Sequence, residues 1–462
     1  MKENSEQIKV IEYERQAVPE AKTKGASSFW GLFSSEHVAG TELLIGPLFV
    51  VHGVAAFDVL TGLVIGNILA VLSWRYLTVP IAIKNRLTLY FQLEKIGGKQ
   101  LVKIYNLANG ILWCFIAGAM ISVSASAISV FFNVTPPGLY AVLPDNFLTV
   151  GLVLAVGLLI SVIAAKGYDA VSRFANIAAP WMIVMFIALG ISTLPDLGIR
   201  NFHDFWGKAE TIIWTGSNQP GYIKFTIWHI IFFSWFGNMA WHIGMGDLSI
   251  FRYAKKANYG FAASSGMFLG HYIAWICAGM LYAVQLQKDP SNTSVSPGQM
   301  AMSAMGLAGV LLVFISGWTT ANPIIYRSGL AFQAINSNWS RSKITLLAGG
   351  IASIIGIFPG LSMKFLNVAA LYGLILMPMG AVIFADHYLM KRFGMLSFFA
   401  EKQNISFYIA PAIAWFLTLT ICLILNLYAG IQIFFLGLPG WFIAVIIYIT
   451  LSLYFQNTRE KK

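Results

Sequence analysis

The sequence predicts an all-α polytopic membrane protein with twelve transmembrane helices, and three observations carry that expectation. Of 462 residues, 57% are hydrophobic and only 11% charged, with a mean hydropathy of +0.70, whereas soluble domains are about a quarter charged. Apolar runs recur along the whole chain at about the 20-residue length that crosses a bilayer core of about 30 Å. Finally, placing the N-terminus inside leaves only Arg200, Lys208, Lys224, Lys288 and Lys364, of 30 Lys and Arg, in loops on the far side. That bias is a positive-inside signal. It makes the net charge of +11 a topology device rather than a nucleic-acid footprint. Both termini are expected in the cytoplasm and the chain in the plasma (inner) membrane.

In order, the runs are Phe29–Val51, Leu60–Pro80, Val102–Phe132, Phe147–Ala165, Phe174–Leu194, Phe225–Ile243, Gly260–Val284, Ala301–Phe332, Ile344–Phe358, Phe365–Leu389, Phe407–Leu427 and Phe434–Tyr454. The third and eighth are long enough to require tilt or extension beyond the bilayer. Between the fifth and sixth, Pro195 to Lys224 is rich in aromatics and polar residues and is expected to hold a short surface helix. Residues 1–28 are polar, carry both signs of charge and lack the apolar core of a signal peptide, so the first span is expected to act as its own insertion signal. The expected organisation is a cytoplasmic tail (1–28), one transmembrane domain (29–455) and a short cytoplasmic tail (456–462). Cys114, Cys277 and Cys422 all lie within apolar runs, which indicates neither a disulfide framework nor a thiolate metal site.

Two spans are interrupted. The first, FWGLFSSEHVAGTELLIGPLFVV, holds Ser34, Ser35, Glu36, His37, Thr41 and Glu42 among Gly31, Gly40, Gly46 and Pro47. A charge at mid-bilayer costs about 2.5–3.5 kcal/mol on insertion scales, so such residues pair or line a cavity. The plainer alternative is that Glu36 and His37 sit near a helix end, or that Glu42 caps a neighbouring helix. The sixth, FFSWFGNMAWHIGMGDL, is broken by Gly237, Asn238, Gly244 and Gly246, with Asp247 and Arg252 at its cytoplasmic side. Two Gly-interrupted spans five apart point to an inverted-repeat transporter whose site lies between broken helices, because unwound backbone at that depth is tolerated only facing a cavity or ligand.

Other polar groups have two readings each. Thr319 and Thr320 in SGWTTANP are hard oxygen ligands suited to Na⁺, or back-bond to their own helix. Trp113, on successive turns with Asn106, Asn109 and Gly110, offers a π-face to a flat ring, or packs, and Trp235, Phe236 and Trp241 share that ambiguity. His229, His242 and His271 are expected as hydrogen-bonded core groups, because no HxxxH or HExxH spacing occurs.

Four stretches resemble the nucleobase–cation symporter family of cytosine, purine and hydantoin permeases. VFISGWTTANPIIYRSGLAFQAIN (Val313–Asn336) looks like its eighth-span signature and LMPMGAVIFADHYLMKR (Leu376–Arg392) like its tenth-span Pro/Gly-Ala-Asp element. GDLSIFRYAKKANYG (Gly246–Gly260) and VIGNILAV (Val64–Val71) are weaker matches. The resemblance implies the LeuT-type architecture. Two inverted repeats of five spans (29–194 and 225–390) are followed by two accessory helices (407–455). It also implies secondary transport of a flat heterocycle (a purine, pyrimidine, hydantoin or related ring) driven by Na⁺ or H⁺. Carried onto this sequence, it implies a Na⁺ site of carbonyls near Trp30 and Phe33, the Ser316 carbonyl, and the hydroxyls of Thr319 and Thr320. The substrate ring would stack on Trp113 and a sixth-span aromatic, with the Ser234–Asn238 segment, including Gly237, against it. A glutamine found near the third-span tryptophan has no counterpart, since Gly110 and Ala117 stand there.

The expected function is therefore a symporter rather than an enzyme, with a substrate site drawn from Trp113, Trp235, Phe236, Gly237, Asn238, Ser34, Ser35, Glu36 and Asn322. Proton coupling through Glu36, His37 and Glu42 keeps the same fold. A passive channel, a sensor, or an enzyme using Glu36 and His37 as an acid–base pair are remoter alternatives. No cofactor beyond the coupling ion, no nucleic acid and no second subunit is expected. The partners are the small-molecule substrate and the bilayer.

Overall fold

The computed structural model describes residues 12–460 apart from 133, 135–142, 145, 294, 337, 359 and 361–364. Residues 1–11 of the expected tail, and Lys364, Lys461 and Lys462 of the charge pattern, lie outside the described residues. Among those described, nine helices are long and apolar enough to cross a membrane.

The first apolar run is two helices, α1 (Ser27–His37) and α2 (Glu42–Val51). Between them the chain crosses α5 (Lys99–Ser129) and α13 (Leu307–Ile335) closely. A Cβ on Gly40 would lie 2.9 Å from Val123 Cγ1 and 3.2 Å from the Val313 carbonyl, so this crossing needs glycine. The second run, α3 (Ala56–Asn85), continues past Pro80 because a π-helical turn from Trp74 to Thr78 precedes the proline and widens the ladder there. After the short α4 (Leu89–Gly97) and the unbroken α5 come α6 (Phe147–Ala165) and α7 (Tyr168–Thr193). The surface helix α8 (Phe202–Lys208) follows.

The sixth run is helical only as α9 (Ile227–Phe236). Residues 237–246 are turns and bends, and a single helical turn, α10 (Leu248–Phe251), closes the segment. This unwound stretch seats against α15 (Phe365–Tyr388) at Gly380, where a Cβ would meet the Ile243 carbonyl at 1.9 Å. Next is α11 (Ala257–Lys288).

The eighth run departs from expectation. Ala301–Phe332 reads as one long span, but the chain turns at Gly306, with φ +58°, into α12 (Pro297–Met305) and α13. Nothing polar marks this corner in the sequence. The remaining helices are α14 (Arg341–Gly356), α15, α16 (Phe399–Lys402), α17 (Ile409–Ala429) and α18 (Ile433–Glu460).

Packing follows a five-span shift. The α1 helix lies on the start of α11 as α9 lies on α3, and α5 packs on α14 as α13 packs on α6. The largest interface, α5 against α13, maps onto itself under the same shift, as does α6 against α14. This is the packing pattern of a five-plus-five repeat, with α17 and α18 packed outside it on α15.

One end of the bundle is sealed by the N-terminal segment. Glu12 accepts from the hydroxyls of Tyr253 and Tyr326, each at 3.0 Å, and from the Tyr168 amide, while Arg252 donates to the Tyr13 carbonyl at 2.7 Å. Arg15 pairs with Glu94, Lys95 with Glu401, and Gln456 with the Leu396 backbone. The N-terminal segment and the C-terminal end of α18 therefore share this end.

Candidate functional site

The two breaks face each other across a cavity. Glu36, His37, Thr41 and Glu42 line it from the first break, and Phe233, Phe236, Gly237, Asn238 and Trp241 from the second. Ile116 and Met120 of α5, Thr320 of α13, Trp275 of α11, Ala369 of α15 and Phe434 of α18 complete the wall. Because these residues come from α2 beyond its break, from α9 before its break and from the first turns of α15 and α18, the cavity faces the end opposite the N-terminal seal. Aromatic faces dominate and a few polar groups converge.

Directly beneath the cavity is a buried charge cluster. Arg327 donates to both Glu36 oxygens, at 2.6 and 3.2 Å, and to Asp247 Oδ1 at 2.5 Å. Trp241 Nε1 donates to Glu36 at 2.9 Å and Trp74 Nε1 to Asp247 at 2.7 Å. The side chains of Arg327 and Glu36 are 1% and 3% exposed and that of Asp247 is fully enclosed, so the two acids share one cation away from water. The result is a clamp that ties α13 to both broken segments at once.

This cluster takes Arg327 and Asp247 out of the solvent-exposed charge. Both are buried, as are Arg252 and Arg341 from the same charge pattern. The signal was present: Arg327 lies inside the apolar run Ala301–Phe332, where a charge is expected to have a partner.

A second constellation joins α1 to α13. A helix leaves its last four carbonyls without intrahelical donors, and α1 stops at the break. Thr319 Oγ1 lies 3.1 Å from the Ser35 carbonyl and 2.9 Å from that of Ser316. Thr320 Oγ1 lies 3.2 Å from the Glu36 carbonyl and 2.9 Å from the same Ser316 oxygen. Five oxygens thus converge with only two hydroxyl protons among them. Such an oxygen-rich, proton-poor cluster has the donor chemistry of a hard monovalent cation. Among the described residues there is no grouping of His, Cys, Asp and Glu suited to a transition metal.

On α1, the carbonyls within hydrogen-bond distance of Thr319 and Thr320 are those of Ser35 and Glu36, not those of Trp30 and Phe33. The Trp30 carbonyl accepts from Ser34 and Ser265, and the Phe33 carbonyl faces His37 Nδ1 at 2.8 Å. Only the last turn before the break has carbonyls to spare, which moves the pairing toward the cavity.

The expected substrate residues divide. Phe236, Gly237, Asn238 and Glu36 line the cavity, as do His37 and Glu42. Trp113 does not: Trp241 stands edge-on to it at 5.2 Å and takes the wall, while the Arg327 guanidinium sits 5.5 Å above the Trp113 ring. Trp235 turns away to donate to Ser73 at 2.9 Å. The hydroxyls of Ser34 and Ser35 back-bond to Trp30 and Leu32. Asn322 is buried outside the cavity, with neither amide atom partnered. Trp241 was weighed only as an ambiguous aromatic. Its position follows from the unwinding after Phe236, which swings its indole back over the cavity floor.

Two other motif stretches have structural roles. Asn67 of VIGNILAV accepts from Ser234 at 2.6 Å and donates to the Met267 carbonyl at 2.8 Å, stitching α3 to α9 and α11. Asp386 of the tenth-span element accepts from the Phe398 amide and from Tyr448 of α18.

No family model and no curated protein matches the sequence, but solved structures do. Mhp1, a nucleobase-cation-symport-1 family transporter in a closed conformation with bromovinylhydantoin bound, superposes with a TM-score of 0.75 over 96% of each chain at 13% identity. The chain shares the fold of Mhp1. The inward-facing conformation of Mhp1 fits less well, with a TM-score of 0.70 at 12% identity over 96% of this chain and 93% of that one. A Na⁺-coupled sialic acid symporter, substrate-bound and outward-open, gives 0.67 at 15% identity over 96% of this chain and 92% of its own.

Proposed function

We propose that this protein is a secondary transporter of the plasma (inner) membrane that imports a nucleobase-like planar heterocycle together with Na⁺ by alternating access, with both termini in the cytoplasm. The single observation that carries this reading is the aromatic cavity seated between two mid-helix breaks, with the five-oxygen cluster directly beside it. The substrate ring lies against Trp241 and Phe236, its polar edge toward Asn238 and the exposed backbone of the breaks. Na⁺ enters the oxygens of Ser35, Glu36, Ser316, Thr319 and Thr320, and joins α1 to α13. An ion that binds only when these helices are together favours that state, and substrate bound to the same state is coupled to it by differential affinity.

The Mhp1 and sialic acid symporter likenesses support transport coupled to a cation. A proton-coupled version of the same cycle has one observation in its favour, the placement of Glu42 and His37 on the cavity wall.

A melting screen of the purified protein tests the assignment. At about 100 times Kd, a ligand of the folded state adds about 2.7 kcal/mol of stability. The expected result is that one class among nucleobases, nucleosides, hydantoins and vitamin precursors raises the melting temperature, and does so more strongly in Na⁺ than in choline. If no planar heterocycle shifts the transition in either ion, the substrate assignment fails.

A further inference from the structure

We propose that Glu42 is the counter-charge for a positively charged substrate, so that the cargo of this cavity is a planar cation, of the amidinium or quaternised-heterocycle class. This rests on the transport reading above and narrows its substrate.

Glu42 and Glu36 line the same cavity, but their circumstances differ. Glu36 has both oxygens on Arg327, which it shares with Asp247. Glu42, the first residue of α2, accepts from Trp275 Nε1 on one oxygen, while the other stands 3.8 Å from His271 Nε2. Among the described residues no Lys or Arg pairs with it. The start of α2 supplies roughly half an elementary charge of compensation, and the rest of the negative charge is unmatched in a wall that is mostly apolar. Buried charges are ordinarily paired, and Glu42 opens on the cavity.

Two further observations point to a ligand at the same place. Thr41 Oγ1 and His271 Nδ1 are buried, belong to residues lining the cavity, and have no hydrogen-bond partner. The indole of Trp275 stacks on His271 at 4.3 Å and lines the cavity, as does that of Trp241. A flat cation gains from such indole faces as well as from the carboxylate, whereas a neutral ring of the same shape gains less from both. A carboxylate facing an amidinium can also accept two parallel N–H bonds, which would fix the ring plane.

Proton uptake is the other way to neutralise Glu42. The titratable groups facing it are His37 and His271, whose rings meet at 4.8 Å, with Glu36, itself held by Arg327, on the same cavity.

The test uses charge-matched pairs on the purified full-length protein at neutral pH: benzamidinium against benzamide, and 1-methylnicotinamide against nicotinamide. In the wild type, at least one cation should bind about tenfold or more tightly than its neutral twin. Glu42→Gln, which keeps an acceptor for Trp275, should erase that preference without lowering the ligand-free melting temperature by more than a few degrees. Should the variant fail to fold, the wild-type preference still decides. Equal binding of the twins, a preference for the neutral one, or no cation-dependent shift in either pair overturns the proposal. So does a Glu42→Gln protein that loses only pH-driven uptake, which would make the carboxylate a proton carrier. Counterflow in proteoliposomes separates this from the broader reading. Cation-selective binding without counterflow supports the site and sinks transport. Counterflow of a neutral heterocycle, indifferent to Glu42→Gln, keeps transport and sinks the site.

Discussion

Replacing Arg327 with methionine is expected to unfold much of the protein and abolish uptake. Arg327 reaches across from α13 to three carboxylate oxygens on the two broken segments, at 2.5 to 3.2 Å, and its side chain is 1% exposed. Methionine matches much of its volume but leaves Glu36 and Asp247 buried without a cation. Breaking a buried pair in this way costs about 3–5 kcal/mol, and here one side chain serves two acids. Lysine should not rescue, because a compact ammonium cannot span the fork that the guanidinium fills.

The informative control removes the charges together. The triple variant Arg327→Met, Glu36→Gln, Asp247→Asn should melt well above the single variant, since it leaves no unpaired ion. Melting in detergent and uptake into proteoliposomes read the two effects separately: the triple variant regains stability but not transport, having lost the clamp between the breaks. An Arg327→Met protein that melts with the wild type would show that the clamp carries no weight.

The double variant Thr319→Ala, Thr320→Ala should remove the Na⁺ response. Each hydroxyl lies within hydrogen-bond distance of two carbonyls, and alanine deletes two of the five oxygens while leaving the Ser35 and Glu36 carbonyls without donors. An unsatisfied buried acceptor costs about 1–3 kcal/mol, so some loss of stability accompanies the change. Stability alone does not discriminate, and the ion response does. Substrate affinity should become equal in Na⁺ and choline, and the Thr319→Ser, Thr320→Ser variant, which keeps both hydroxyls, should restore the difference. Uptake that still follows Na⁺ in the double alanine protein would move the cation elsewhere.

What could be read in advance, and what could not, has a physical basis. The breaks were legible because glycines and polar side chains (Gly40 and Thr41, Gly237 and Asn238) interrupt runs that are otherwise apolar, and hydrocarbon tolerates such residues only for a reason. The corner at Gly306 was not, because Met305 and Leu307 flank it and the run stays apolar through a turn that only backbone torsion reveals. Arg327 was hidden by its position near the end of a span, where a loop charge and a buried ligand of two acids look alike in one dimension. Trp113 and Trp241 could not be ranked from spacing, since the unwound segment that carries Trp241 has no helical period to place it. Glu12, far from any apolar run, gave no sign that it caps Tyr253 and Tyr326 at the sealed end.

The heterocycle found by the melting screen, supplied outside proteoliposomes under an imposed Na⁺ gradient, gives the most direct test. Accumulation above the outside concentration that collapses when the gradient is dissipated, and is absent in the Thr319→Ala, Thr320→Ala protein, is the predicted result. Simple equilibration that ignores the ion gradient, or no flux of a ligand that binds, would contradict a cavity coupled to its neighbouring cation across two broken helices.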